Sequence, residues 1–94
     1  MTPSLTAASR LARGPKATFQ VVAEEAILIH LDTGTYYSLN RVGTELWERL
    51  DGEQTLQAHA AALAQKYTVE EARVLADLLE LGGRLLAEDL VAKV

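Results

Sequence analysis

The spacing of the apolar residues changes once along this chain of 94 residues, near Asn40. Before that point, short runs of β-forming residues are separated by tight connections, which predicts an antiparallel meander. The three runs are Thr18–Ala23, Ala26–Leu31 and Thr35–Leu39. Gly34 supplies the positive φ that a tight turn needs. In the second run, Ile27, Ile29 and Leu31 share one face, and we expect His30 on the opposite face to be partly exposed.

After Asn40 the apolar residues recur at helical spacing, which predicts three helices. Asn40 caps the first and Thr55 the second, and Thr68–Glu71 has the spacing of a capping box that would begin the third. Gly82-Gly83 should weaken or end that last helix, and His59 should lie on the surface of the second. Strands followed by helices define an α+β fold, a three-stranded antiparallel sheet with three helices on one face.

The third helix has apolar residues on two faces, although a surface helix of a small domain needs only one apolar stripe. We expect the second face to be an open groove, although both faces could also be core. The strand Thr35–Leu39 ends the meander, so it lies at an edge and offers unpaired backbone groups. An edge of this kind can accept a partner strand. The predicted peptide-binding residues are Thr35, Tyr36, Tyr37, Ser38, Leu39, Arg73, Val74, Leu75, Asp77, Leu78 and Leu81.

Residues 1–16 contain Pro3, Gly14 and Pro15 and show no regular period, which predicts a flexible arm before a domain at residues 17–94. That arm carries a charge of +3, and the remaining chain carries −7. An acidic domain disfavours a nucleic-acid partner and suits a basic peptide. No cysteine is present, which suits a cytoplasmic location, and the two histidines form no metal-ligand pattern. No apolar stretch approaches the length of a membrane span.

Two other functions fit single features of the sequence. Leu31-Asp32-Thr33-Gly34-Thr35 has the signature of an aspartic protease homodimer, but that fold is nearly all β and residues 41–92 are helix-periodic. A DNA-binding winged helix fits the element order, but residues 53–94 carry a charge of −3, and a recognition helix should be basic. No Ser-His-Asp set or phosphate-binding loop points to an enzyme, so we expect no catalytic residues and no cofactor.

The segment Gly34–Gly52 reads GTYYSLNRVGTELWERLDG. Its aromatic pair, the following Leu-Asn, a small residue, an apolar-Trp pair and the final Asp-Gly resemble the PqqD-like family. The positions are Tyr36-Tyr37, Leu39-Asn40, Gly43, Leu46-Trp47 and Asp51-Gly52. The resemblance extends over residues 17–92. It departs at Gly82-Gly83-Arg84, where the family has a single glycine before Leu85-Leu86.

The resemblance implies a winged-helix-like domain that binds the leader segment of a ribosomally made, modified precursor peptide. The leader would lie antiparallel to the third strand and place apolar side chains between that strand and the third helix. Such domains do no chemistry and present the precursor to modifying enzymes, such as a leader peptidase. A chain of this length is similar both to the free-standing chaperone of the family and to the separate leader-binding proteins of split lasso-peptide systems. The hairpin Gly34–Tyr37 favours the second.

Overall fold

A computed structural model describes residues 5–94 of the chain and contains strands, helices and short connections in those residues. The strands are β1 (Arg10–Arg13), β2 (Ala17–Val22), β3 (Glu25–His30), β4 (Tyr36–Ser38), β5 (Asp51–Thr55) and β6 (Val91–Lys93). The helices are α1 (Arg41–Arg49), α2 (Leu56–Tyr67) and α3 (Glu71–Ala87). The α+β class and the three predicted helices are confirmed, and each end of the three predicted strands differs from the structure by one residue.

The strands form two antiparallel sheets, of which only one was predicted. The predicted meander is the sheet β2-β3-β4, with β3 in the centre and β4 at an edge. The second sheet has the order β5-β1-β6 and brings together segments that are far apart in the sequence. Leu11 of β1 pairs with Lys93 of β6, and Arg10 pairs with Thr55 of β5. Local sequence patterns gave no sign of these pairings, because each strand is short and its partners are distant.

The prediction of a flexible arm over residues 1–16 is corrected by β1. Residues 1–4 lie outside the described part of the chain. Leu11 is fully buried in the hydrophobic core, and Gly14 N–H donates to the Leu90 carbonyl at 2.9 Å. Leu56 N–H likewise donates to the Ser9 carbonyl at 2.9 Å. Residues 5–16 are therefore part of the folded domain, because they include β1, the central strand of the second sheet.

The expected orientation of β3 is also corrected, because the helices cover the face that carries Ala26, Leu28 and His30. Ile27 and Ile29 lie on the outer face and are 37% and 41% exposed. His30 is buried rather than partly exposed, and its Nδ1 accepts hydrogen bonds from the backbone of the following turn. Both faces of β3 are apolar, so alternation alone could not decide which one packs against the helices.

Two of the predicted helix starts are confirmed. The Asn40 side chain accepts from Gly43 N–H at 2.8 Å, and the Thr55 side chain accepts from Ala58 N–H at 3.2 Å. The predicted capping box at Thr68–Glu71 is wrong, because Thr68 ends α2 in the left-handed conformation. Helix α3 begins at Glu71, and Glu70 makes no side-chain cap.

Helix α3 continues through Gly82-Gly83 to Ala87, so of the two expected effects of the glycines, weakening or ending the helix, the second does not occur. A Cβ at Gly82 would lie 3.1 Å from the side chains of both Leu11 and Leu5. Gly82 therefore lets β1 pack closely against the helix. The cost of glycine to a helix is about 1 kcal/mol, and packing along the rest of this long helix offsets it.

His59 was expected on the surface, but it is 1% exposed. Neither ring nitrogen has a hydrogen-bond partner among the described residues. Burial lowers the pKa of His59, and the positive charge of Arg49 adds to that effect, whereas Asp51 opposes it. The residue is accordingly a neutral part of the core at the start of α2. No helix within residues 5–94 has the length and apolar character to cross a membrane.

Candidate functional site

The outer edge of β4 carries unpaired backbone groups. His30 N–H donates to the Thr35 carbonyl at 2.8 Å, and Leu39 N–H donates to the Ala26 carbonyl at 2.8 Å. These two bonds lie at the two ends of β4. In an antiparallel ladder, hydrogen-bonded residue pairs alternate with pairs that are not hydrogen-bonded. The backbone groups that point toward β3 are therefore the Thr35 carbonyl, both groups of Tyr37 and the Leu39 N–H. Those of Tyr36 and Ser38 point away from the sheet and bond to no other described residue.

A buried threonine fixes the end of β4 relative to β3 and α1. Thr44 Oγ1 accepts from Ala26 N–H at 2.7 Å and donates to the Leu39 carbonyl at 3.3 Å. Thr44 is 2% exposed, so water cannot replace either bond. The strand edge is thereby held on a rigid support, which favours a site that is formed before any partner arrives.

The inner side of the β4 edge opens into a groove whose other wall is α3. A first cavity of about 460 Å³ lies at the end of β4 that leads into α1. It is lined by Ser38, Leu39, Asn40, Val42, Gly43, Asp77, Leu78, Glu80, Leu81 and Arg84. Gly43 brings α1 close to α3, since a Cβ there would lie 3.2 Å from Leu81 Cδ2.

A second cavity of about 290 Å³ continues the groove toward the start of β4. It is lined by Tyr37, Ser38, Leu39, Leu81, Arg84, Leu85, Ala87, Glu88 and Leu90. The two cavities share Ser38, Leu39, Leu81 and Arg84, so they are adjacent parts of one groove, which we call the β4–α3 groove.

The rim of the β4–α3 groove is charged. Asp77, Glu80 and Arg84 are exposed and form no ion pair with any residue from 5 to 94. At the far end, burial raises the pKa of the Tyr37 hydroxyl, and the adjacent Glu88 carboxylate raises it further. An ordinary tyrosine is already neutral at physiological pH, and the raised pKa keeps the Tyr37 hydroxyl a hydrogen-bond donor at higher pH as well. An apolar floor with a charged rim is an arrangement typical of peptide-binding surfaces.

The groove brings together six of the eleven predicted site residues: Tyr37, Ser38, Leu39, Asp77, Leu78 and Leu81. Thr35 and Tyr36 lie beside the groove, on the exposed edge and outer face. Arg73, Val74 and Leu75 line neither cavity. Val74 is 5% exposed and belongs to the core.

The sequence did not indicate the contribution of the last turns of α3. Arg84, Leu85, Ala87 and Glu88 line the groove, but the predicted site stopped at Leu81, because Gly82-Gly83 was expected to weaken or end the helix there. The apolar residues Leu85 and Leu86 at helical spacing after the glycines were the signal that the helix continues. Asn40 and Gly43 line the groove at its other end, as a cap and a close contact of α1.

A scan of protein families matches residues 25–91 to PqqD, described as coenzyme PQQ synthesis protein D. This chain belongs to the PqqD family. The match begins at β3 and ends in β6, so it includes the whole of β4 and α3. A search of curated proteins gave no match.

Among solved structures, this PqqD-family chain is similar to one described as TbiB1 in complex with the TbiA(beta) leader peptide. The two share 26% sequence identity with a TM-score of 0.75, over 85% of this chain and 93% of the other. The likeness therefore includes nearly all of both chains. The three helices of this chain also exclude the aspartic protease, whose architecture is almost entirely β.

Proposed function

We propose that this protein binds the leader segment of a ribosomally made precursor peptide without catalysing a reaction. The leader lies antiparallel to β4, and its backbone pairs with the outward N–H and C=O groups of Tyr36 and Ser38. Its alternate side chains enter the β4–α3 groove. The observation that carries the proposal is this open strand edge directly above a groove in a PqqD-family fold. The similarity to a structure that contains a leader peptide supports it.

Affinity and selectivity come from different parts of the site. Backbone pairing on β4 depends little on the leader sequence, whereas apolar side chains near Leu81 and Leu85 select by shape. The unpaired charges Asp77, Glu80 and Arg84 favour one orientation of the leader over the other. We propose that the bound precursor is then presented to a modifying enzyme such as a leader peptidase, in a split lasso-peptide system, and that this takes place in the cytoplasm.

The proposal is tested with peptides that cover the N-terminal halves of the short reading frames beside the gene. Each peptide carries a fluorescein label, and binding is measured by fluorescence anisotropy, with the C-terminal halves as controls. We expect an N-terminal half to bind and its C-terminal half not to bind. If no N-terminal half binds the folded protein, the proposal is wrong.

Strand pairing is tested at Ser38, whose N–H points away from β3. Ser38→Pro removes that donor but leaves the ladder between β3 and β4 intact, because proline is tolerated on the free side of an edge strand. We expect affinity for the bound N-terminal half to fall by at least about tenfold, since a hydrogen bond is lost and the proline ring blocks close approach. Ser38→Ala keeps the N–H and should bind normally. Unchanged binding by Ser38→Pro would show that the leader does not pair with β4.

The helix wall is tested at Leu81, which is half-buried and lines both cavities. Leu81→Asp should weaken binding, because it places a charge in the apolar floor of the groove. Leu75→Asp is the matched control, since Leu75 is half-buried in the same helix but lines neither cavity. Leu78 is unsuitable, because it is 1% exposed and its replacement would disturb the core. Equal losses of affinity in the two variants would exclude a groove centred on Leu81.

A further inference from the structure

A strand that pairs with β4 presents side chains to both faces of the sheet, and only one of these faces is the β4–α3 groove. The outer face carries Ile27 and Ile29 of the central strand, which are 37% and 41% exposed. Beside them lies Tyr36, whose side chain is unusually open for an aromatic residue at 71% exposed. The inference below rests on the proposed function, because a leader that pairs with β4 would add a strand to this outer face.

Tyr36 belongs to a ladder of side chains that runs across the outer face. It lies opposite Ile29, which lies opposite Thr18 of β2. Since the neighbouring pairs of β3 and β4 are hydrogen-bonded, Ile29 and Tyr36 form a non-hydrogen-bonded pair, in which side chains lie closest. The ladder ends at Tyr36, so the side of its ring that faces away from Ile29 has no neighbour in the sheet.

We infer that Tyr36 is a specificity-determining residue that selects a large apolar leader side chain on the outer face of the sheet. In an antiparallel leader, the residue opposite Tyr37 points into the groove, and the next residue lies opposite Tyr36 and points outward. Its Cβ lies about 4.5–5.5 Å from that of Tyr36, which is the distance of a cross-strand pair. The substrate class is therefore a leader with two consecutive apolar residues, one bound on each face.

Ser38 provides an internal comparison, because it also faces outward and also pairs with the leader. It lies opposite Ile27, which lies opposite Gln20. The small hydroxyl side chain of Ser38 offers little apolar surface to a neighbour. The leader residue opposite Ser38 is accordingly unselected, although it occupies an outward position equivalent to that of the selected residue.

The experiment selects phage-displayed random peptides of about 12 residues, long enough to span β4, on the intact protein and its variants. Only peptides whose binding is lost on Ser38→Pro are kept, so that every retained peptide uses the β4 edge. Sequencing should show two adjacent apolar positions on the native protein. The first is the residue opposite Tyr37, in the groove, and the second is the residue opposite Tyr36, on the outer face. On Tyr36→Ser the preference for an apolar residue at the second position should disappear, and the preference at the first should remain. Tyr36→Phe should restore the preference at the second position, because the ring makes the contact.

A synthetic peptide from the selection gives the magnitude. Tyr36→Ser should raise its Kd about two- to five-fold, as expected for one cross-strand aromatic pair. Replacing the second apolar residue of the peptide by serine should have a similar effect, and the two changes together should cost little more than either alone. Additive losses, or a second preference that persists on Tyr36→Ser, would overturn the role of Tyr36 while leaving leader binding intact. A selection without any peptide that depends on Ser38 would overturn both proposals.

Discussion

Two adjacent glycines in α3 allow a direct test of how β1 packs against that helix. Alanine is favoured over glycine in a helix by about 0.5–1 kcal/mol. At Gly83 a new Cβ would meet nothing within 4 Å, so Gly83→Ala should raise the free energy of unfolding by that amount. The same substitution at Gly82 would gain the same helix propensity, but it would place the Cβ in an occupied region.

At Gly82 the Cβ would lie 3.1 Å from the Cδ1 atoms of both Leu11 and Leu5. Carbon atoms pack best at about 3.5–4.0 Å, so both side chains would have to shift. Leu11 is fully buried in the core and has little room, and overpacking of this kind costs about 1–3 kcal/mol. Gly82→Ala should therefore be about 1–3 kcal/mol less stable than Gly83→Ala.

The assay is urea unfolding followed by the fluorescence of Trp47, which is the single tryptophan and is 1% exposed. A denaturant dependence of about 1–3 kcal/mol per molar converts the difference into midpoints separated by about 1 M. In a Leu11→Val background, which lacks the crowding Cδ1 atom, Gly82→Ala should become less harmful. If Gly82→Ala stabilises the native protein as much as Gly83→Ala does, β1 does not pack against α3 at this position.

Three further variants test other parts of the fold. Thr44→Val should lower the free energy of unfolding by about 1–3 kcal/mol, because the buried Ala26 N–H loses its acceptor, and Thr44→Ser should lose less in the same urea assay. Equal losses of stability in Thr44→Val and Thr44→Ser would show that the Thr44 hydroxyl does not stabilise the fold. His59 has a lowered pKa in the folded state, so the unfolded state binds a proton first as the pH falls. The free energy of unfolding should be highest above about pH 6.5 and should fall as the pH drops from there through the lowered pKa. Urea midpoints between pH 5 and 8 should show that His59→Leu lacks this part of the pH dependence, and an unchanged pH dependence would contradict it. Gly34→Ala should cost about 1–2 kcal/mol, because φ is +74° and alanine is strained there, whereas Gly34→Asn should cost less in thermal unfolding.

The elements that the sequence predicts well are those whose signals are local. The helix starts at Asn40 and Thr55 depend on hydrogen bonds to residues three positions away, and both are present. The meander of β2, β3 and β4 depends on short connections between β-forming runs, and it forms as expected. The edge position of β4 follows from the same order, so the strand half of the proposed site could be predicted from the sequence.

The residues that α3 contributes to the proposed site could be predicted only in part from the sequence. The apolar positions Leu78 and Leu81 were identified from helical spacing, and both line the groove. Helix spacing could not show which apolar positions of α3 face the groove, and Val74 and Leu75 line neither cavity. It also could not show that α3 continues past Gly82, because that depends on a strand from the other end of the chain.

The sequence by itself determined the class of fold, the order of the main elements and the unprotected edge at β4, because each follows from interactions between residues close in the chain. Only the tertiary structure decided which residues are covered. It buried His59 and His30, exposed Ile27 and Ile29, and recruited β1 into a second sheet. The physical reason is that burial depends on neighbours that are distant in the sequence. Both faces of β3 are apolar, so its own sequence cannot indicate which face the helices will cover.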